Sequence, residues 1–184
     1  QDSAAVAATL SYALQQLRCE GIETVTLRSD CAGCYRSAGL MAFLHEHNKK
    51  NDVATVKDYS FSEPQCGKDA CDRMAAQRKA VERCDAGYDV ATPLQLVEAI
   101  LSGTPLSGTS VVFCGLRTSV TKATSMDAIS KLSHVTFEKD ALRAYKHFGI
   151  GEGRVDDVSR LNPVDSSLQL IREGGFTAGD DAFW

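Results

Sequence analysis

The first sixty residues alternate between two kinds of hydrophobic pattern. Apolar residues recur at helical spacing over residues 3–18 and again over residues 37–50, which predicts two helices. Residues 22–28 and 53–61 are rich in β-branched and aromatic side chains, which predicts two strands. Gly21 is expected to end the first helix because glycine readily adopts the left-handed conformation found there. This order of elements predicts an α/β fold.

The pattern is weaker in the rest of the chain. Thr92 and Pro93 suit the cap and the first turn of a short helix. Residues 110–116 and 135–138 are β-rich and predict extended segments. We interpret residues 139–148 as a turn or a short helix.

The spacing of these elements suggests one main domain, which suits a chain of 184 residues. Residues 155–184 show little regular pattern and are interpreted as a tail or a docking segment.

Composition and charge exclude some classes of protein. The chain has 20 Lys and Arg against 24 Asp and Glu, a net charge of −4 that argues against strong non-specific binding of nucleic acid but leaves room for a local basic groove. No long apolar run predicts a membrane span, so we expect no membrane partner. Seven cysteines, an odd number, favour reduced thiols and a nuclear or cytoplasmic location.

Acidic residues lie where the predicted elements place ligand sites. Asp30 directly follows the first predicted strand, while Asp69 and Asp72 open a third predicted helix at residues 68–85, just after Glu63. A divalent cation relieves repulsion between close carboxylates, and Mg²⁺ and Mn²⁺ prefer such oxygen ligands. The alternative is that Asp30 caps a turn and that the other acids complement a helix N-terminus.

Three blocks of sequence carry a family resemblance. Residues 27–35 read Leu-Arg-Ser-Asp-Cys-Ala-Gly-Cys-Tyr, which resembles the Ser-Asp-Asn-Ala-Gly-Cys-Tyr motif of uncharacterised, transposon-derived eukaryotic proteins. Residues 59–73 resemble their Phe-Ser-Glu-Pro-Gln-x-Gly-Lys-x-x-Cys-Asp-Arg block, and residues 137–153 are similar to their C-terminal signature. These proteins carry a ribonuclease-H-like domain akin to DDE transposases and retroviral integrases. The resemblance covers residues 1–154.

The resemblance implies a ribonuclease-H-like mixed sheet with flanking helices. It implies a partial core of this fold over residues 1–88 and the family's C-terminal extension of the same domain over residues 89–154. It implies that Asp30 and Asp72 are catalytic metal ligands, at the end of the fourth strand and on the helix after the fifth strand. Asp69 and Glu63 are weaker candidates for the second of these places. Two Mg²⁺ or Mn²⁺ ions would then activate a water or a 3′-hydroxyl for attack on a phosphodiester.

The resemblance therefore implies a transposase- or integrase-like, metal-dependent polynucleotidyl transferase or nuclease domain. The alternative is a non-catalytic, domesticated domain that binds protein or nucleic acid. The family fold begins with three antiparallel strands, the first of which carries another catalytic Asp. This chain starts at the helix that follows them, so we expect it to be inactive alone and to need another chain or an upstream segment to complete its sheet.

The third predicted helix is also basic. By analogy with integrases, we expect a nucleic acid, with DNA favoured, to contact four of its side chains: Lys68, Arg73, Lys79 and Arg83. A solvated charged face explains the same pattern equally well.

Two pairs of cysteines have spacings close to those of zinc ligands. Cys31-x-x-Cys34 and Cys66-x₄-Cys71 resemble pairs of zinc ligands, but Cys31 and Cys66 stand where the relatives have Asn and Gly. We therefore interpret these cysteines as small packing residues and expect no zinc.

The histidines show no useful spacing. His45 and His47 are two residues apart on the second predicted helix, so they do not face one ligand, and we expect both to be exposed. His134 and His147 are assigned no role.

Overall fold

The structure is a computed structural model that describes residues 3–62, 92, 95, 97, 112–118, 125–164 and 166–173, with the backbone alone described at 112–118 and 166–173. The chain divides into two compact units. One comprises Gln1–Gly67 with Leu116–Leu168, and the other comprises Lys68–Gly115 with Gln169–Trp184. The sheet and candidate site described below belong to the first unit.

Two α-helices and seven strands are described in chain order. They are α1 (Ser3–Cys19), β1 (Thr24–Ser29), α2 (Ala38–His47), β2 (Thr55–Phe61), β3 (Val112–Thr118), β4 (His134–Phe137), β5 (Ala141–Tyr145), β6 (Arg154–Asp157) and β7 (Ser166–Glu173). Short 3-10 helices span Ile129–Lys131 and Val158–Arg160. The expected α/β class is confirmed, and α1, β1, α2, β2, β3 and β4 all overlap the elements predicted for them.

Five strands form a mixed sheet in the order β1-β2-β4-β5-β6, while β3 and β7 form a separate two-stranded sheet. Strands β1 and β2 are parallel, and each later pair in the larger sheet is antiparallel. Ser29 lies opposite Phe61, and Ser60 lies opposite His134. The carboxyl ends of β1 and β2 therefore meet the beginning of β4 at one end of the sheet.

Local sequence explains where the helices begin and end. Gly21 has φ +86°, and the Ile22 amide donates to the Leu17 carbonyl at 2.9 Å, as expected for a glycine-terminated helix. Ser37 caps α2 by accepting from the Leu40 amide at 3.2 Å. The side chain of Asn48 then forms two 2.8 Å hydrogen bonds with the backbone N–H and C=O of one β2 residue, and these bonds attach the end of α2 to the sheet.

One apolar core joins the helices to the sheet. Its largest fully buried aliphatic side chains come from both helices and from three strands: Leu14, Leu40, Met41, Leu44, Val56, Val135 and Leu142. Burial of each such side chain stabilises the fold by about 1.5–3 kcal/mol. The described helices include none that is long and apolar enough to cross a membrane.

Strand β5 corrects the interpretation of residues 139–148 as a turn or a short helix. Leu142 and Ala144 are buried, and their neighbours along the strand are half-buried, which is the alternation of a strand with one core face. The strand pairs with β4 across the turn that contains Lys139 and Asp140. Five residues were too few for a periodic signal to separate strand from turn.

The expected exposure of His45 and His47 is wrong. Their exposed fractions are 4% and 2%, because α2 packs against neighbours around most of its circumference. The Nε2 atom of His45 lies 3.1 Å from the Glu138 carbonyl oxygen. The ring of His47 stacks on Phe43 at 5.3 Å, and neither of its nitrogens has a hydrogen-bond partner among the described residues.

Regular structure also continues into the segment interpreted as a tail. Strand β6 pairs with β5, and β7 pairs with β3, so part of 155–184 is strand. Residues 174–184 lie outside the described residues.

The predicted cap at Thr92 is confirmed. The Gln95 amide donates to Thr92 Oγ1 at 3.2 Å, and the Thr92 amide donates to Gln95 Oε1 at 3.0 Å. This reciprocal pair is a capping box.

Candidate functional site

Asp30 lies at the carboxyl end of β1 and is exposed. Its Oδ1 atom accepts a hydrogen bond from the Ala32 amide at 2.8 Å, so the interpretation that Asp30 caps a turn is confirmed. Its Oδ2 atom has no hydrogen-bond partner in the part of the chain that the structure describes. One oxygen therefore orients the carboxylate, and the other is open to a ligand.

The backbone around Asp30 is held from both sides. The Ser29 carbonyl accepts from the Ser62 amide at 2.8 Å and from the Ser62 hydroxyl at 3.0 Å, which continues the pairing of β1 with β2 past the end of both strands. The Cys31 thiol donates to the Ser62 carbonyl at 2.8 Å. These contacts fix the position of Asp30 relative to the sheet.

Arg36 attaches this turn to the beginning of β4. Its Nη1 donates to the Leu132 carbonyl at 2.9 Å, and its Nη2 donates to the Cys31 carbonyl at 3.4 Å. The guanidinium lies 5.8 Å from the centre of the Phe61 ring, within the range of a cation–π interaction. Arg36 forms no ion pair with a described carboxylate, so its positive charge remains at the site.

A cleft begins beside this turn. It has a volume of about 500 Å³, comparable to small-molecule pockets, and its lining includes Cys31, Arg36, Lys131, Lys146 and Phe148. A second cleft of about 630 Å³ shares both lysines with the first. Asp30 is therefore next to a basic cleft whose far wall is formed by the segments that flank β4 and β5.

The sequence interpretation missed Lys131, Lys146 and Phe148 as candidate binding residues. The two lysines are fifteen positions apart in a weakly patterned region, and no motif connects them. Only the pairing of β4 with β5 places Lys131 and Lys146 at the same end of the sheet.

Burial favours the uncharged form of three ring side chains near the turn. It raises the pKa of Tyr59 to about 12 and also raises the pKa of Tyr35. It lowers the pKa of His134, whose Nδ1 lies 2.9 Å from the Ser60 hydroxyl oxygen. The lysine and arginine side chains that line the cleft are Arg36, Lys131 and Lys146.

The other predicted site residues lie outside the described residues. These are Glu63, Lys68, Asp69, Asp72, Arg73, Lys79 and Arg83. A short distance between Asp30 and Asp72 therefore stays a prediction. Within the described residues there is no group of three or more His, Cys, Asp or Glu side chains placed to hold a metal ion.

The zinc expectation also stays a prediction. Cys31 and Cys34 are half-buried free thiols, while Cys66 and Cys71 lie outside the described residues. Because the Cys31 thiol donates to a backbone carbonyl, it already has a packing role without a metal.

Comparisons with known proteins found no match among protein-family models, curated proteins or solved structures. The ribonuclease-H-like resemblance therefore rests on the motifs at residues 27–35, 59–73 and 137–153. The geometry at Asp30 is independent of that resemblance.

Proposed function

We propose that this chain is a ribonuclease-H-like domain of the transposase and integrase type, which performs metal-dependent nuclease or strand-transfer chemistry on phosphodiesters. The observation that carries the proposal is the position of Asp30, an exposed carboxylate at the carboxyl end of a strand whose neighbour β2 is parallel. Ligands of α/β sheets bind at such strand ends. The motif around Asp30 adds the expectation of metal chemistry.

Each predicted ligand has a defined part in this proposal. Asp30 presents Oδ2 while the Ala32 amide holds Oδ1, and Asp72 supplies the second carboxylate, with Asp69 and Glu63 as weaker candidates. Carboxylates are suitable ligands for Mg²⁺ or Mn²⁺, which when bound would lower the pKa of an attacking water or 3′-hydroxyl and stabilise the leaving oxygen. The basic residues of the predicted third helix, Lys68, Arg73, Lys79 and Arg83, would contact the nucleic acid, with DNA favoured.

The edge of the sheet supports a further part of the proposal. Among the described strands, β1 has a neighbour on one side only, so no described strand pairs with the backbone groups on its other side. We propose that a strand from another chain or from an upstream segment pairs with β1 and supplies the remaining acid. A nuclear or cytoplasmic location suits such a domain.

The first test is binding of Mn²⁺, measured by electron paramagnetic resonance on this chain. We expect Asp30→Asn and Asp72→Asn each to weaken binding because each removes a charged ligand. Asn at position 30 retains an oxygen that can accept from Ala32, so the turn should persist. Asp52→Asn is the matched control, since Asp52 is an exposed carboxylate that precedes β2 at the opposite end of the sheet.

Equal Mn²⁺ binding by wild type and Asp30→Asn would contradict the metal site. Catalytic activity is then tested by measuring Mn²⁺-dependent cleavage of DNA by a form of this chain that is extended upstream. Loss of this cleavage in the Asp30→Asn variant of the extended form supports the proposal that the domain is catalytic. Metal binding without cleavage supports the non-catalytic alternative.

A further inference from the structure

Two lysines that line the cleft beside Asp30 have no carboxylate partner among the described residues. Lys131 ends the 3-10 helix before β4, and Lys146 directly follows β5. Ser133 connects their segments, because its hydroxyl donates to the Lys146 carbonyl at 2.7 Å and its amide donates to the Tyr145 carbonyl at 3.0 Å. Neither lysine forms an ion pair within the described residues, so together they form a local positive surface on an acidic protein.

In the adjoining cleft, an arginine is ion-paired, in contrast to the two lysines. Arg154 lines it, but its guanidinium is paired with Asp156 at 3.0 Å and donates to the Asp127 carbonyl at 2.7 Å. Its charge is therefore largely compensated. Among the described residues that line the two clefts, Lys131 and Lys146 carry positive charge without an ion-pair partner, and so does Arg36 on the side of Asp30.

An aromatic ring is exposed at the same place. Phe148 is 69% exposed, although burying it would be favourable by about 1.5–3 kcal/mol. Its ring is held by an edge-to-face contact with His134, with the centroids 4.5 Å apart and the planes at 76°. His134 is itself buried and lies against Ser60. The Phe148 ring is therefore exposed to solvent and is held in place by its contact with His134.

From these observations we propose that the cleft binds single-stranded nucleic acid, with phosphates at Lys131 and Lys146 and a base stacked on Phe148. Exposed aromatic rings beside basic side chains are typical of surfaces that bind unpaired strands, because a stacked and paired base presents no free face. The inference makes the proposed function more specific, and it rests on that function for the role assigned to Asp30. The inferred substrate of the cleft is an unpaired strand.

The test is fluorescence anisotropy with a labelled oligothymidylate of about 12 nucleotides, a length within the usual range of single-strand sites. The buffer contains EDTA, so the measurement does not depend on the proposed metal site. Because two phosphate contacts are lost, we expect Lys131→Gln with Lys146→Gln to reduce the slope of log affinity against log salt by about 1.4. Phe148→Ala should weaken binding about 5- to 150-fold.

Lys139→Gln is the matched control. Lys139 is also exposed, but it lies in the turn between β4 and β5, at the opposite end of the same hairpin, so its removal should leave affinity and salt slope unchanged. All the substituted side chains are exposed, and thermal melting verifies that each variant is folded.

Two results would overturn the inference. One is unchanged affinity in both the double lysine variant and Phe148→Ala. The other is tighter binding of a duplex of equal length, which would indicate a charged surface without base stacking. Failure of Mn²⁺ binding with intact strand binding would contradict the proposed function but not this cleft.

Discussion

The two halves of the five-stranded sheet are built differently. In the first half, β1 and β2 are parallel, and α2 connects them, with α1 packed beside it. In the second half, β4, β5 and β6 are antiparallel and follow one another through short turns. Parallel pairs need a long crossover, whereas antiparallel pairs need only a tight turn. The first half therefore has more residues in helices than in strands, and the second half consists of strands of four or five residues with their connections.

The halves also contribute different chemistry. The parallel half supplies the Asp30 carboxylate, and the antiparallel half supplies Lys131, Lys146 and Phe148. Arg36 connects them through its hydrogen bond to Leu132. The candidate site thus lies where the halves meet, and neither half forms it alone.

The largest expected effect tests whether the halves share one core. Leu40 and Leu142 are both fully buried, one in each half, so Leu40→Ala and Leu142→Ala should each lower the free energy of unfolding by about 2–5 kcal/mol. Urea denaturation followed by circular dichroism should show a single transition in both variants. A negligible effect of Leu142→Ala beside a large effect of Leu40→Ala would contradict a core shared by the two halves.

Two glycines in the antiparallel half, both with positive φ, should differ in how much stability an alanine substitution costs. Gly153 has φ +71°, and an added Cβ would lie 2.7 Å from an atom of the Tyr145 ring and 2.8 Å from Arg143 Cγ, so Gly153→Ala should cost about 2–4 kcal/mol. Gly149 has φ +68° but open space around it, so Gly149→Ala should cost only about 1–2 kcal/mol. Thermal unfolding of both variants checks the difference. Equal losses would mean that the contact with Tyr145 relaxes freely.

The smallest effect compares a buried histidine from each half. Burial lowers the pKa of His47 in α2 and of His134 in β4 below the usual 6.5. The unfolded chain therefore takes up protons first as the pH falls. Stability should be fully present above pH 6.5 and should decrease below it, by at most about 1.4 kcal/mol per pH unit for each histidine.

His47→Phe should reduce this pH dependence without removing it, because His134 remains. Urea denaturation at a series of pH values between neutral and mildly acidic measures the slope. A variant whose pH profile superimposes on that of the wild type would show that His47 does not titrate with folding.

The elements that the sequence predicted well share one property. Helix α2 begins after Ser37 and α1 ends near Gly21, and in both cases the deciding hydrogen bonds join residues within about one helical turn. The turn at Asp30 belongs to the same class, since its carboxylate bonds to a backbone amide two residues later.

The features that the sequence missed depend on distant contacts. Strand β5 is recognised only once it pairs with β4, because five residues that alternate between buried and half-buried give little periodic signal. The histidines of α2 are buried because neighbours cover most of that helix, and one of them lies against a carbonyl ninety-three residues away.

By itself, then, the sequence determined the local structure of the parallel half and the position of Asp30 at a strand end, because short-range hydrogen bonds and helical periodicity suffice for both. The tertiary structure alone decided that Lys131 and Lys146 lie beside the turn that follows Asp30. That arrangement depends on the pairing of β2 with β4 and on a hydrogen bond from Arg36 to Leu132, ninety-six residues apart. Such pairings follow from the burial of the whole apolar core, which no short stretch of sequence encodes.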